Sequence, residues 1–278
     1  MARRLDILGH RGARALFPEN TLEGFLAAAA LGLTAFELDV CLTADGVLVV
    51  THDMALNPDI VRDASGNWLQ GCGPTVHSMT YADLRHFDVG RLRPGSRTAA
   101  AFPDQQPHDF ARIPTLAAVL AAIPNAQFTI EVKTHPAHPE WTPSAGALAD
   151  ATLAVIDHAG AAERITVEAF DWRVQRHIRP RRPHIRLAWL TSAETVRDAA
   201  LWWDGATAAS VPAAVAAEGG PVWTPGFETL TEADVQEAHA LGLSVLPWTV
   251  NQPADMRRLI AWGVDGLISD RPDLALIL

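Results

Sequence analysis

Short apolar runs alternate along this chain with longer Ala-rich stretches, and the two kinds of segment predict different elements. Runs over 4–10, 35–40, 128–133, 165–170, 185–190, 222–224, 244–250 and 266–269 read as eight strands. A further short run, 47–51, follows an Asp45-Gly46 turn and is set aside as an excursion. Stretches over 20–31, 144–158, 172–178, 193–203, 232–240 and 254–262 read as helices. Asn20 or Thr21 can cap the first of these, and Gly32 fits its C-terminal stop. Ser269-Asp270-Arg271-Pro272 reads as a cap with proline in the first turn of a short terminal helix. Strands alternating with helices are the signature of parallel βαβ units, and eight repeats imply a closed barrel rather than an open sheet. The expected fold is α/β, a TIM (β/α)8 barrel, with 1–278 forming one domain.

One segment breaks the alternation. Residues 54–113 are rich in Gly, Pro, Asp and Arg, with a helix candidate only at 80–87. So long an irregular segment is usually functional. It leaves after the second barrel strand, so it is expected over the C-terminal mouth, where barrel enzymes do their chemistry.

Composition narrows the picture. At 278 residues and 49% apolar, with mean hydropathy +0.07, the chain can bury a large core. A net charge of −10 argues against a nucleic-acid or anionic-membrane surface, though not against a small anion held by a local cation. The two cysteines, Cys41 and Cys72, make neither a disulfide framework nor a zinc spacing and suggest a reducing compartment. A strand-like segment follows Met1 almost at once, arguing against a signal peptide, and the alanine run before Leu31 is too short to span a bilayer. These features predict a soluble cytoplasmic protein without stable membrane association.

The strand patterns carry the chemistry. In Phe36-Glu37-Leu38-Asp39-Val40 the side chains alternate, so Glu37 and Asp39 share one face and the apolar residues the other. Inside a parallel barrel those carboxylates stand about 7 Å apart and repel unless a cation lies between them. Hard oxygen ligands suit Mg²⁺ or Ca²⁺ rather than zinc; an exposed edge strand with two solvated acids is the bland alternative. Thr129, Glu131 and Lys133 share a face on a second strand, placing a third acid inside with a lysine nearer the mouth. A phosphate oxygen would be a natural partner for that lysine, although a simple Glu–Lys pair fits the spacing as well. His10 closes the first strand and precedes Arg11, which could clamp a phosphate. His52 closes the excursion and precedes Asp53. Two imidazoles near these acids can exchange protons near neutrality.

Taken together, His10-Arg11-Gly12, Pro18-Glu19-Asn20-Thr21, Glu37-Leu38-Asp39-Val40, His52-Asp53, Ile113-Pro114-Thr115-Leu116, Ile130-Glu131-Val132-Lys133, Trp248-Thr249-Val250-Asn251 and Gly263-Val264-Asp265-Gly266 resemble the glycerophosphodiester phosphodiesterase family in order and spacing. The resemblance runs from Leu8 to about Asp273. It implies that His10 and His52 are the general acid and base, and that Glu37, Asp39 and Glu131 hold one divalent cation, Mg²⁺ or Ca²⁺. It further implies that Arg11 and Lys133 contact the phosphate, that Phe170 and Trp248 line the glycerol pocket, and that Glu19 orders the first loop. The implied reaction is hydrolysis of glycerophosphodiesters such as glycerophosphocholine or glycerophosphoethanolamine to sn-glycerol 3-phosphate and an alcohol. The implied route is attack by the glycerol 2-hydroxyl to give a cyclic phosphate that water then opens.

Two rivals stand beside that reading. A phospholipase D-like relative would need an apolar mouth for an acyl chain, and residues 54–113 are too polar to favour one. A non-catalytic barrel binding a phosphorylated ligand would be expected to lack a histidine or an acid, and this chain has all of them. One departure concerns Glu168-Ala169-Phe170, where many relatives have Gln-Ser-Phe or Ser-Ser-Phe. Glu168 is either an extra metal contact, a neighbour steadying Lys133, or a surface-directed variation. Trp202-Trp203 reads as packing, His135 and His138 as loop residues outside the site, Asp265 and Asp270 as caps or turns, and Arg179-Pro180-Arg181-Arg182 as a solvated face.

Overall fold

The computed structural model describes residues 5–278, so the start of the first predicted strand, at Arg4, lies outside the described residues. Among the described residues nine strands form: β1 (Asp6–Gly9), β2 (Ala35–Leu42), β3 (Leu48–Val50), β4 (Gln127–Val132), β5 (Ile165–Ala169), β6 (Arg186–Thr191), β7 (Val222–Pro225), β8 (Ser244–Val245) and β9 (Gly266–Ser269). They are hydrogen-bonded in the order β8-β7-β6-β5-β4-β2-β1-β9, every neighbouring pair parallel, with β3 attached antiparallel to β2. The ends of this path meet. Asp265 N–H donates to Val245 O at 2.9 Å, Ile268 N–H to Pro247 O at 3.0 Å and Val250 N–H to Ile268 O at 2.9 Å. The eight parallel strands therefore make a TIM barrel, and the 47–51 run is the expected excursion.

Alternation along β2 and β4 divides the protein into two layers. Phe36, Leu38 and Val40, with Phe128, Ile130 and Val132, face outward into the main core under the helices. There Phe25, on the helix Leu22–Ala30, meets Phe36 and Phe128 edge-on at 5.8 and 6.1 Å. Each such buried ring contributes roughly 1.5–3 kcal/mol by removal from water. Thr21 caps this helix by accepting from Gly24 N–H, and Gly32 follows it at φ 95°, a left-handed position where glycine carries no penalty.

Some predicted elements shift. The expected strand over 244–250 forms a regular ladder at Ser244–Val245 and continues as single contacts, Leu246 and Trp248 N–H donating to Trp223 O and Pro225 O. Pro247, with no N–H, can only accept, from Ile268 on the β9 side. The expected helix over 193–203 is broken at Asp198 into Ala193–Arg197 and Ala199–Trp202. Helices at Arg97–Ala101, Leu116–Ala122 and Val211–Ala217 were not anticipated; each is short, Ala-rich and capped by Ser96, Thr115 or Ser210.

The segment after β3 folds around its own small apolar cluster, which includes Leu56, Val61, Val76 and Leu84 and shares Cys41 and Val49 with β2 and β3. It reaches the loop after β1, where Gln105 donates to Arg14 O at 2.7 Å and Gln106 N–H donates to Leu16 O at 2.8 Å. Among the described residues no helix is long and apolar enough to cross a membrane.

Candidate active site

The loop after β1 is built to aim polar groups inward. Gly9 has no room for a Cβ, which would lie 1.9 Å from Gly12 O. Arg11 then takes φ 51°, uncommon for a residue with a side chain, and its N–H donates to Glu37 Oε2 at 3.1 Å. Asn20 also has a positive φ, 53°; its N–H donates to Arg11 O and its Nδ2 to Asp39 Oδ2 at 2.9 Å. Pro18-Glu19-Asn20-Thr21 therefore ties the loop to the strand that carries the acids. Glu19 accepts from Arg11 Nη1 at 2.9 Å.

Glu37, Asp39 and Glu131 converge as their strands predict. All three are buried, and each offers an oxygen within 4.8 Å of the others. Lys133 Nζ lies 2.7 Å from Glu131 Oε1 and 3.4 Å from Asp39 Oδ1, while Arg11 Nε is 3.5 Å from Asp39 Oδ2. The Glu–Lys pair that the spacing allowed is thus present, inside a larger cluster. Burial and the neighbouring acids push Glu37 above the usual carboxylate range, and burial lifts Glu131 to about 7 against the pull of Lys133. Burial works against charge on Asp39 too, but His52, Lys133, Arg11 and the Asn20 hydrogen bond outweigh it and hold this acid low. The donor set is all oxygen, and Asp39 Oδ1 is buried without accepting a hydrogen bond. Those features fit a hard divalent cation.

Both histidines neighbour this cluster. His10 Nε2 is 3.8 Å from Glu37 Oε2, and its Nδ1 lies 2.5 Å from Asp270 Oδ1. His52, on the Asp39 side, has Nδ1 2.8 Å from Asp53 Oδ1, and Asp53 also accepts from Asn57 Nδ2. An ionised carboxylate can only accept, so Nδ1 carries the proton in each ring and Nε2 presents its lone pair. Burial brings His10 down to about 4 despite Asp270; burial, Arg11 and Lys133 lower His52 as well.

Asp270 corrects the reading of that residue as a cap. It begins no helix; Arg271 precedes the first turn of Pro272–Ala275. Its carboxylate, 1% exposed, takes His10 Nδ1 and Arg14 Nε on Oδ1 and Asn251 Nδ2 on Oδ2. Burial opposes that charge, yet His10 and Arg14 hold it well below the usual range. The signal missed was its place at the end of a barrel strand, next to His10 across the β1–β9 seam, where Gly9 pairs with Ser269. Asp265 has the structural part expected of it: its Oδ2 accepts from Val245 N–H at 2.6 Å.

Glu168 is not surface-directed. It is 1% exposed, points inward beside Glu131 and accepts from Thr224 Oγ1 at 2.9 Å. Burial and Glu131 raise it to about 8. Phe170 and Trp248, after β5 and β8, meet edge-on at 5.5 Å at the mouth. Trp202 and Trp203 both lie in the main core, as packing requires: Trp203 stacks on Trp172, and Trp202 also meets Phe170 and His135. Arg182 pairs with Asp157 on the surface.

Comparison with known proteins bears on the family and the fold. A crystal structure from Silicibacter pomeroyi DSS-3 bearing a glycerophosphoryl diester phosphodiesterase description is 37% identical, with TM-score 0.91, covering 99% of this chain and 92% of that one. The glycerophosphodiester phosphodiesterase of Caldanaerobacter subterraneus subsp. tengcongensis is 27% identical over 267 residues, 96% of this chain and 94% of its own. A phosphodiesterase of Oleispira antarctica, solved with the product sn-glycerol-3-phosphate, shares the fold at 20% identity and TM-score 0.73, covering 96% of this chain and 93% of that one. The sequence pattern described as "Glycerophosphoryl diester phosphodiesterase family" matches residues 10–274, and the chain belongs to that family.

Proposed function

We propose that this chain, a phosphodiesterase of that family, hydrolyses glycerophosphodiesters such as glycerophosphocholine or glycerophosphoethanolamine to sn-glycerol 3-phosphate and an alcohol, using a divalent ion and a histidine pair. The carrying observation is a buried three-acid cluster with two imidazoles near it, each ring held by its own carboxylate, His10 beside Glu37 and His52 interacting with Asp39. Glu37, Asp39 and Glu131 would hold the ion, which when bound neutralises phosphate oxygens as charge builds in the transition state. Arg11 and Lys133, already at the cluster, would bind the remaining phosphate oxygens. Phe170 and Trp248 would seat the glycerol carbons and bring its 2-hydroxyl in line with phosphorus. That intramolecular arrangement supplies effective molarity, roughly 7–11 kcal/mol of barrier at the upper end. One histidine takes the hydroxyl proton on its free Nε2; the other, which would first gain a proton at Nε2 as the anionic substrate binds beside it, gives that proton to the leaving oxygen, and water then opens the cyclic phosphate by the reverse assignment. The barrel and the segment at 54–113 would act as one unit, that segment bounding the β1 side of the mouth.

The test is release of glycerol 3-phosphate from glycerophosphocholine. Chelation should abolish it and Mg²⁺ or Ca²⁺ restore it, and His10→Ala and His52→Ala should each lower kcat at least about 10²-fold. Full activity after thorough chelation, or near-wild-type turnover in both variants, would reject the reading.

A further inference from the structure

Glu168 is a buried acid to which the proposed mechanism gives no role. Asp39, Glu131 and Glu168 are successive Cα partners across β2, β4 and β5, so three acids stand at one height inside the barrel, with Glu37 two residues below Asp39. Lys133 gives its ion pairs to Glu131 and Asp39, and Arg11 to Glu19 and Asp39; among the described residues no ion pair reaches Glu168. Its partner is the neutral hydroxyl of Thr224. Four carboxylates thus share two permanent cations in a buried layer, one of which also serves Glu19, so the four cannot all be ionised there without a further counter-charge. Such an excess is costly by itself and is relieved by a doubly charged ion. A second observation concerns the same layer: Asp39 Oδ1, fully buried, accepts no hydrogen bond and has only the 3.4 Å ion-pair contact with Lys133 Nζ.

Resting on the reading that Glu37, Asp39 and Glu131 hold a divalent ion, we propose that Glu168 is a fourth acid of that site, tightening ion binding and biasing it towards Ca²⁺ over Mg²⁺. The bias follows from coordination chemistry. Ca²⁺ accepts six to eight oxygens in flexible arrangements and binds more tightly as the negative charge around it grows. Mg²⁺ keeps several waters and is commonly satisfied by one or two carboxylates. Glu168 stands on the strand next to Glu131, so it acts from the edge of the trio and not at its centre.

The experiment is titration calorimetry of the metal-free protein with CaCl₂ and with MgCl₂, alongside the ion-induced rise in Tm. Glu168→Gln keeps the shape and the Thr224 hydrogen bond but removes the charge. It should weaken Ca²⁺ binding at least tenfold and Mg²⁺ binding no more than about threefold, shrinking the Ca²⁺-induced Tm rise accordingly. Thr224→Val removes the hydrogen bond but keeps the charge, and should retain the Ca²⁺ preference. Unchanged Ca²⁺ affinity in Glu168→Gln, or an equal loss in Thr224→Val, overturns the fourth-acid assignment while leaving the three-acid site standing. A wild-type protein that binds neither ion overturns both.

Discussion

Replacing Asp270 by Asn tests how much of the catalysis depends on one orienting carboxylate. Its Oδ1 receives His10 Nδ1 at 2.5 Å and Arg14 Nε at 2.8 Å, while Oδ2 receives Asn251 Nδ2 at 2.8 Å. An amide has only one acceptor oxygen. If that oxygen stays with His10 and Arg14, the new NH₂ faces the NH₂ of Asn251. Asn251 has no easy flip, because its Oδ1 already accepts from Asp270 N–H and Ser269 Oγ. If the amide turns the other way, its NH₂ faces His10 Nδ1 and Arg14 Nε; the ring must then move its proton to Nε2, the atom proposed to accept one. A buried hydrogen bond to a charged group contributes about 1.5–3 kcal/mol, or roughly 10–150-fold in rate if it is lost in the transition state. Asp270→Asn should therefore lower kcat by that range with little change in KM. The assay is steady-state release of glycerol 3-phosphate, with thermal unfolding as the control for folding. A kcat within threefold of wild type, in a variant that folds normally, would refute the assignment of Asp270 as the residue that orients His10.

Other expectations concern folding. Burial lowers His10 from 6.5 to about 4, so between those values the unfolded chain binds a proton that the native state does not. Stability from this group therefore rises with pH across that window and is lost as pH falls from 6.5 to 4, by about 3 kcal/mol. Glu131 and Glu168, raised by burial, act in the opposite sense, so the measurement is the stability gap between wild type and His10→Gln. The gap should narrow on acidification; a gap independent of pH would contradict the burial argument. Gly9→Ala must fit a Cβ 1.9 Å from Gly12 O and 2.9 Å from Leu33 Cδ2, and is expected to cost about 1–3 kcal/mol or more while displacing Arg11. Gly32→Ala meets open space at φ 95° and should cost only about 1 kcal/mol without loss of turnover. Equal effects on activity would show that the Gly9 turn does not position the site.

The division between the legible and the illegible runs through particular residues. Glu37 and Asp39 could be assigned to one inward face from strand alternation alone, because a period of two is a local property of the backbone. The same rule placed Glu131 with Lys133, and Thr21 and Gly32 announced their helix ends through cap chemistry. The short helices at Leu116–Ala122 and Val211–Ala217 escaped notice because seven residues hold too few turns for a clear pattern. Asp270 was misread because an acid just before Arg-Pro is, locally, an ordinary helix cap.

The sequence by itself determined the alternation of strands and helices, the faces of the strands and the residue types able to bind a metal and move protons, all through patterns among near neighbours. Only the tertiary structure decided which carboxylate serves which partner. His10 and Asp270 are 260 residues apart, and they meet because β1 pairs with β9 as the barrel closes. Glu168 lies inside for the same reason: the register of β5 on β4 sets it beside Glu131. Barrel closure is a long-range event, and the electrostatics of the site exist only after it.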